Sequence, residues 1–250
     1  MKIKHVHGNL KIAFIIGIAN FIKKLIFLVL KIFLNIDAKY NEIIISRATY
    51  APWKIDNIFV KIYLQLNSLT LLDEKRFFTI YSILQQIKNI NGDILDIGCM
   101  RGGVGMMMSK INLKGNTYLI DTFSGLLEEE KYHKKGMFAF TGIEELKKNI
   151  KYFNLKKIKV LKQNFPNKEK LKNIKKLKLC HIDVNTYRST KNSYNYVKKK
   201  LVKGSFIIFD DYGIFGVEQV TKFVNEIKIK DKKQFHFINN FMGQCILIKK

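Results

Sequence analysis

The stretch Ile94–Gly103, ILDIGCMRGG, decides how this chain is read. It opens as a short apolar strand carrying one acidic residue, Asp96, and closes on a turn with Gly98, Gly102 and Gly103 that runs into a helical pattern. Glycines leave the backbone bare, so a ligand can lie against the turn, and the helix that follows aims free N–H groups at it. An acidic side chain beside such a turn favours a cationic or hydroxyl-bearing ligand over a bare pyrophosphate. The glycine spacing also differs from the dinucleotide fingerprint G-x-G-x-x-G. S-adenosylmethionine, with its ammonium and sulfonium charges, suits the turn better; the alternative is a plain strand-to-helix turn.

Outward from this stretch, strands and helices alternate. Strands are expected at Ile94–Gly98, Thr117–Asp121, Lys159–Lys162, Lys178–Val184 and Ser205–Phe209, which predicts an α/β domain with a parallel sheet covered by helices on both faces. Gln234–Ile238 and Gln244–Ile248, separated by a glycine-containing turn, predict a closing antiparallel hairpin. Upstream, Asp73–Asn89 has helical apolar spacing at Phe77, Ile80, Tyr81, Leu84 and Ile87, and Ile55–Leu66 reads as a further helical segment.

In open α/β sheets ligands gather beyond the carboxyl ends of the strands. Every expected strand carries a polar residue there: Asp96 and Gly98, then Asp121, then Gln163 and Asn164, then Asp183, then Asp210 and Asp211. Asp121 is placed to hold the ribose hydroxyls of a nucleoside, or else it or Thr122 caps a helix. Phe123 beside it covers an adenine or joins the core. Asp183, Asp210 and Asp211, on neighbouring strands, bring together three negative charges that repel unless something positive lies between them. Mg²⁺, which takes a few carboxylates and keeps positions open for substrate oxygens, meets that need.

The chain has 250 residues, 45 Lys+Arg against 20 Asp+Glu and a formal charge of +25. Only four of the cations are arginines, Arg47, Arg76, Arg101 and Arg188, so the excess lacks the guanidinium forks that read nucleic acid. No nucleic-acid partner is expected. Cys99, Cys180 and Cys245 stand far apart, indicating neither a disulfide framework nor a zinc site and suiting a reducing cytoplasm. From Lys11 to Ile36 the sequence is nearly all apolar, and Asn20, Lys23, Lys24 and Lys31 fall within about a third of a helix circumference. This basic amphipathic helix has three readings: burial against the domain or a partner subunit, contact with the inner membrane surface, or a span, the last penalised by two adjacent lysines near its middle. The chain thus divides into a helical extension, 1–69, and an α/β domain, 70–250.

Four motifs, LDIGCMRGG (Leu95–Gly103), LIDTFSGL (Leu119–Leu126), HIDVNTYRST (His181–Thr190) and GSFIIFDDYG (Gly204–Gly213), together resemble the TylF/MycF-type macrocin O-methyltransferase family. These are class I S-adenosylmethionine-dependent enzymes that methylate sugar hydroxyls, and the resemblance runs from about Thr70 to about Glu226. It implies a seven-stranded Rossmann-like methyltransferase fold and a homo-oligomer. It further implies S-adenosylmethionine held by Asp96, Gly98, Met100, Arg101, Gly102, Gly103, Asp121, Thr122 and Phe123, with Asn164, and Mg²⁺ held by Asp183, Asp210 and Asp211. Asn185 stands where the family usually has an aspartate, and Asp96 where it often has a glutamate.

The expected chemistry is an in-line methyl transfer to a sugar hydroxyl of a nucleotide sugar, glycolipid or surface glycan, with Mg²⁺ on two neighbouring hydroxyls. Asp183 is the nearest base, with His181 and His133 behind it, and Glu128–Gly142 is a lid or an ordinary exposed loop. The rivals are a nucleic-acid methyltransferase and a non-catalytic scaffold on a methyltransferase fold.

Overall fold

The computed structural model describes residues 10–34, 51–139, 142–167 and 169–250. These fall into two compact units, Met1–Ile55 and Asp56–Lys250. In the first, α1 (Leu10–Leu34) is followed by a short α2 (Pro52–Ile55). Taken by itself, α1 carries no acidic residue and exposes Phe14, Phe21, Leu25, Leu28, Ile32 and Phe33. Among the described residues no helix is long and apolar enough to cross a membrane. The end of the expected helix at residues 35–36, and most of the connector after it, lie outside the described residues.

The second unit begins with α3 (Asn57–Leu66) and α4 (Glu74–Ile87), and then alternates: β1 (Asp93–Ile97), α5 (Gly103–Ile111), β2 (Thr117–Asp121), α6 (Ile143–Tyr152), β3 (Ile158–Lys162), β4 (Leu177–Ile182), α7 (Tyr187–Val197), β5 (Leu201–Phe209), α8 (Glu218–Lys230), β6 (Phe235–Asn239) and β7 (Cys245–Lys249). The unit starts earlier than the expected boundary after residue 69 because α3 belongs to its core. Phe59 is fully buried there, with ring centroids 4.9 Å from Phe78 and 5.2 Å from Tyr81.

The strands form one seven-stranded sheet in the order β3-β2-β1-β4-β5-β7-β6. The first five run parallel, and β7 is antiparallel to both β5 and β6. Strand order reverses between β1 and β4, which is where an open α/β sheet leaves a crevice at its carboxyl edge. β4 is buried along its whole length, as a strand covered on both faces must be. Even Lys178 is buried, its Nζ donating to the carbonyls of Lys88 and Ile90 at the end of α4. β5 starts four residues before the expected Ser205, at Leu201. The Lys203–Gly204 step is a bulge: Gly204 sits at φ +77°, and the register against β4 shifts there.

Backbone hydrogen bonds continue past the strand ends and fix the tip of each strand to its neighbour. Gly98 N–H donates to Ile120 O, Asp183 N–H to Ile97 O, Asp210 N–H to Ile182 O and Gln163 N–H to Asp121 O, all at 2.8–3.0 Å. Where β1 and β4 meet, the approach is so close that a Cβ on Gly98 would lie 1.7 Å from the Asp183 carbonyl oxygen, and Gly98 itself has φ +86°. Gly98→Ala is therefore expected to cost about 3 kcal/mol or more, from left-handed strain plus separation of the two strand tips. Gly136→Ala, at φ +84° with open space around the missing Cβ, should cost only about 1 kcal/mol. Urea midpoints of the two variants check the difference.

Candidate active site

The carboxyl ends of the parallel strands open onto one cavity of about 350 Å³, within the size range of small-molecule sites. Of the residues singled out from the sequence, Asp96, Gly98, Met100, Asp121, Thr122, Asn164, His181, Asp183, Asp210 and Asp211 line it. Four do not. A Cβ on Gly102 would meet the Leu146 side chain, and one on Gly103 the carbonyl of Leu69, so these glycines serve packing of the turn. Arg101 reaches the Ser68 carbonyl at 3.4 Å, and Phe123 stands outside the cavity wall.

Asp121 caps no helix, because the next helix after β2 begins at Ile143. Its carboxylate closes the turn after β1 instead, Oδ2 accepting from Met100 N–H and Oδ1 from Phe123 N–H, both at 2.8 Å. Two backbone donors leave the carboxylate further lone pairs on the cavity side. Met100, Phe123, Asn185 and Asp211 all have positive φ without being glycines, a concentration of backbone strain around the strand tips.

Asp96 and His181 are register partners on β1 and β4, and both side chains are 1 % exposed. The imidazole Nδ1 lies 2.9 Å from Asp96 Oδ1. Burial by itself would lower the His181 pKa, but the hydrogen bond and charge of Asp96, with Asp210 and Asp183 beyond, push it up to about 9. At neutral pH this histidine is a buried cation.

The three aspartates line the same cavity, but the group whose ligand atoms lie close together has His181 rather than Asp211 beside Asp183 and Asp210, and a cation the motif reading missed stands among them. Arg76, on the first turn of α4, sends Nη1 to Asp210 Oδ2 at 2.8 Å and to Asp211 Oδ1 at 3.3 Å. Its Nε is held by Asp73 Oδ2 at 2.8 Å, while Asp73 Oδ1 caps the helix by accepting from the N–H groups of Lys75 and Arg76. Even so the carboxylates remain short of positive charge. Burial first, then Asp211 and Asp210, push the Asp183 pKa well above the usual carboxylate range, and burial with Asp210 raises Asp211 to about 6. The one sequence signal for Arg76 was its rarity as an arginine in a lysine-rich chain.

Ligand atoms of His181, Asp183 and Asp210 lie within 4.8 Å of one another. Asp96 Oδ2, Gln163 Oε1 and Nε2, His181 Nε2, Asn185 Oδ1 and Asp210 Oδ1 are buried without a protein hydrogen-bond partner. Such atoms are rare unless a ligand, ion or water completes them. The free oxygen of Asp210, with Asp183 close by, fits a hard cation, whereas a protonated His181 offers no lone pair to one. The segment after β2 contributes Leu127, His133 and Phe138 to the cavity wall, and Arg188 holds its Glu128 at 2.8 Å; residues 140 and 141 of the expected lid lie outside the described residues.

Fold and site together define a Rossmann-like class I methyltransferase architecture. The family model of macrocin O-methyltransferase (TylF) matches residues 65–241, more than half of the chain, and the chain belongs to that family. The demethyldecarbamoylnovobiocin O-methyltransferase of Streptomyces niveus is 24% identical over 165 residues, 58% of this chain and 63% of that protein, so the match spans less than two thirds of that relative. Among solved structures, the O-methyltransferase NovP superposes with a TM-score of 0.64 at 20% identity, over 73% of this chain and 82% of its own. CalS11, a TDP-rhamnose 3′-O-methyltransferase of calicheamicin biosynthesis, superposes with a TM-score of 0.54 at 14% identity, over 78% and 89%.

The Asp96–His181 pair makes a pH-dependent contribution of definite sign. With a folded pKa of about 9 against an ordinary 6.5, its stabilisation is complete below about pH 6.5 and is lost as pH rises through 9. In Asp96→Asn the His181 pKa should fall clearly below 9 in an imidazole NMR titration. The gap in urea midpoint between wild type and variant should narrow from pH 6.5 to pH 9.5.

Proposed function

We propose that this protein transfers a methyl group from S-adenosylmethionine to a hydroxyl of a sugar, with Mg²⁺ at Asp183 and Asp210. The observation that carries the reading is the cavity at the carboxyl edge, where polar atoms from β1, β4, β5 and the turn after β3 are buried with no protein partner. Membership of the macrocin O-methyltransferase family supports O-methylation, and the names of the novobiocin and TDP-rhamnose relatives support a sugar-bearing or natural-product acceptor.

When bound, S-adenosylmethionine supplies an electrophilic methyl group and Mg²⁺ acidifies hydroxyl oxygens. The protein's own residues divide the remaining work. Asp121, rigidly held by Met100 and Phe123 N–H groups, accepts from ribose hydroxyls. Gln163 turns an unpaired amide oxygen and nitrogen toward the cavity, a matched donor and acceptor for the edge of a heterocycle. Bare backbone at Gly98 lets the ligand approach the turn.

Asp183, at the tip of β4 inside the cavity, takes the proton of the acceptor hydroxyl. His181, which already holds its proton up to about pH 9, serves as charge balance behind it. Leu127, His133 and Phe138 exclude water from above.

Incubation with labelled S-adenosylmethionine and a panel of nucleotide sugars and envelope glycolipids should give one product heavier by a single methyl group. Asp183→Asn should lower kcat about 10³-fold while leaving the calorimetric affinity for S-adenosylhomocysteine within about threefold. Loss of cofactor binding in that variant, or retention of full turnover, would remove Asp183 from the proposed role.

A further inference from the structure

We infer that Arg76 is the resident counter-ion of the aspartate cluster and that it holds the site's affinity for divalent cations down. The inference rests on the metal reading above and deepens it. Three carboxylates at adjacent strand tips would ordinarily make a high-affinity cation site, because each added negative charge strengthens binding of a doubly charged ion. Here the guanidinium occupies Oδ2 of Asp210 and Oδ1 of Asp211, leaving the second oxygen of each of these carboxylates, together with Asp183, to meet an ion.

The arrangement is built rather than incidental. Arg76 is 16 % exposed and Asp210 1 %, so the contact is largely shielded from solvent. Asp73 fixes the guanidinium from behind through Nε, and the same carboxylate caps the helix that delivers it. A lysine could supply the charge at this place but not the fork that spans Asp73 on one side and Asp210 with Asp211 on the other. An entering cation therefore meets a cluster that has already lost one unit of its negative charge, and it shares Asp210 with a fixed positive group.

The consequence is a weakly held, exchangeable ion and a cluster that folds without one. Titration of the full-length protein with Mn²⁺, followed by electron paramagnetic resonance, tests this directly, alongside thermal melting in EDTA. Arg76→Gln should bind Mn²⁺ about tenfold more tightly or better, melt lower than wild type in EDTA, and recover more than wild type does when Mg²⁺ is added. Arg76→Lys, which keeps the charge, should stay near the wild-type affinity. Asp73→Asn, which can still cap α4 but no longer pairs with the guanidinium, should fall between.

If Arg76→Gln binds Mn²⁺ no more tightly than wild type, the counter-ion role is overturned while the metal site stands. If neither protein binds Mn²⁺ at millimolar concentration, the metal reading fails and takes the inference with it. Equal tightening in Arg76→Lys and Arg76→Gln would show that shape rather than charge governs the site, and would likewise overturn it.

Discussion

Parallel strands that end side by side bring their tips within a few ångströms of each other, so any acidic residues there must be neutralised before the sheet can close. In this protein Asp96, Asp183, Asp210 and Asp211 all stand at that edge, and two cations of the chain answer them. His181 rises from within the sheet to pair with Asp96, and Arg76 arrives from α4, outside the sheet, to grip Asp210 and Asp211. Neither cation suffices by itself, since Asp183 and Asp211 still bind protons more tightly than an ordinary carboxylate. That remaining deficit of positive charge, in a cavity lined by unpaired polar atoms, is the physical basis for assigning the edge to a ligand-binding and catalytic role.

Backbone geometry makes this charge arrangement rigid. Single hydrogen bonds from Gly98, Asp183, Asp210 and Gln163 lock each tip to the strand beside it. The close approach of Gly98 to the carbonyl of Asp183 sets the separation of the turn after β1 from the aspartate cluster. Left-handed backbone at Met100, Asn185 and Asp211 stores strain at the same edge, held by the surrounding sheet and helices. A rigid edge suits a transfer reaction, where misplacement of the acceptor by an ångström costs much of the rate.

Much of this was legible in the residues. The alternation of apolar strands with helical spacing predicted the parallel sheet and the closing hairpin, because period and burial are local properties of the chain. The turn after β1 and the polar residue at each parallel-strand tip were visible for the same reason: a tip follows its strand by one or two residues. The first four residues of β5 were not legible, since the bulge at Gly204 breaks the apolar pattern there. Arg101, Gly102, Gly103 and Phe123 share the cofactor motifs but stand outside the cavity, because a contiguous motif on a curved turn cannot aim every residue the same way.

The sequence by itself determined the order of elements, the family and the positions of the tip carboxylates, all of which depend on residues near one another in the chain. Tertiary structure alone decided what those carboxylates touch. Asp210 and Arg76 are 134 residues apart, and Asp96 and His181 are 85 apart. Their pairing follows from strand register and from how α4 docks beside the sheet. No local pattern encodes that, because a charge finds its partner through space, and only the fold brings the two ends of that space together.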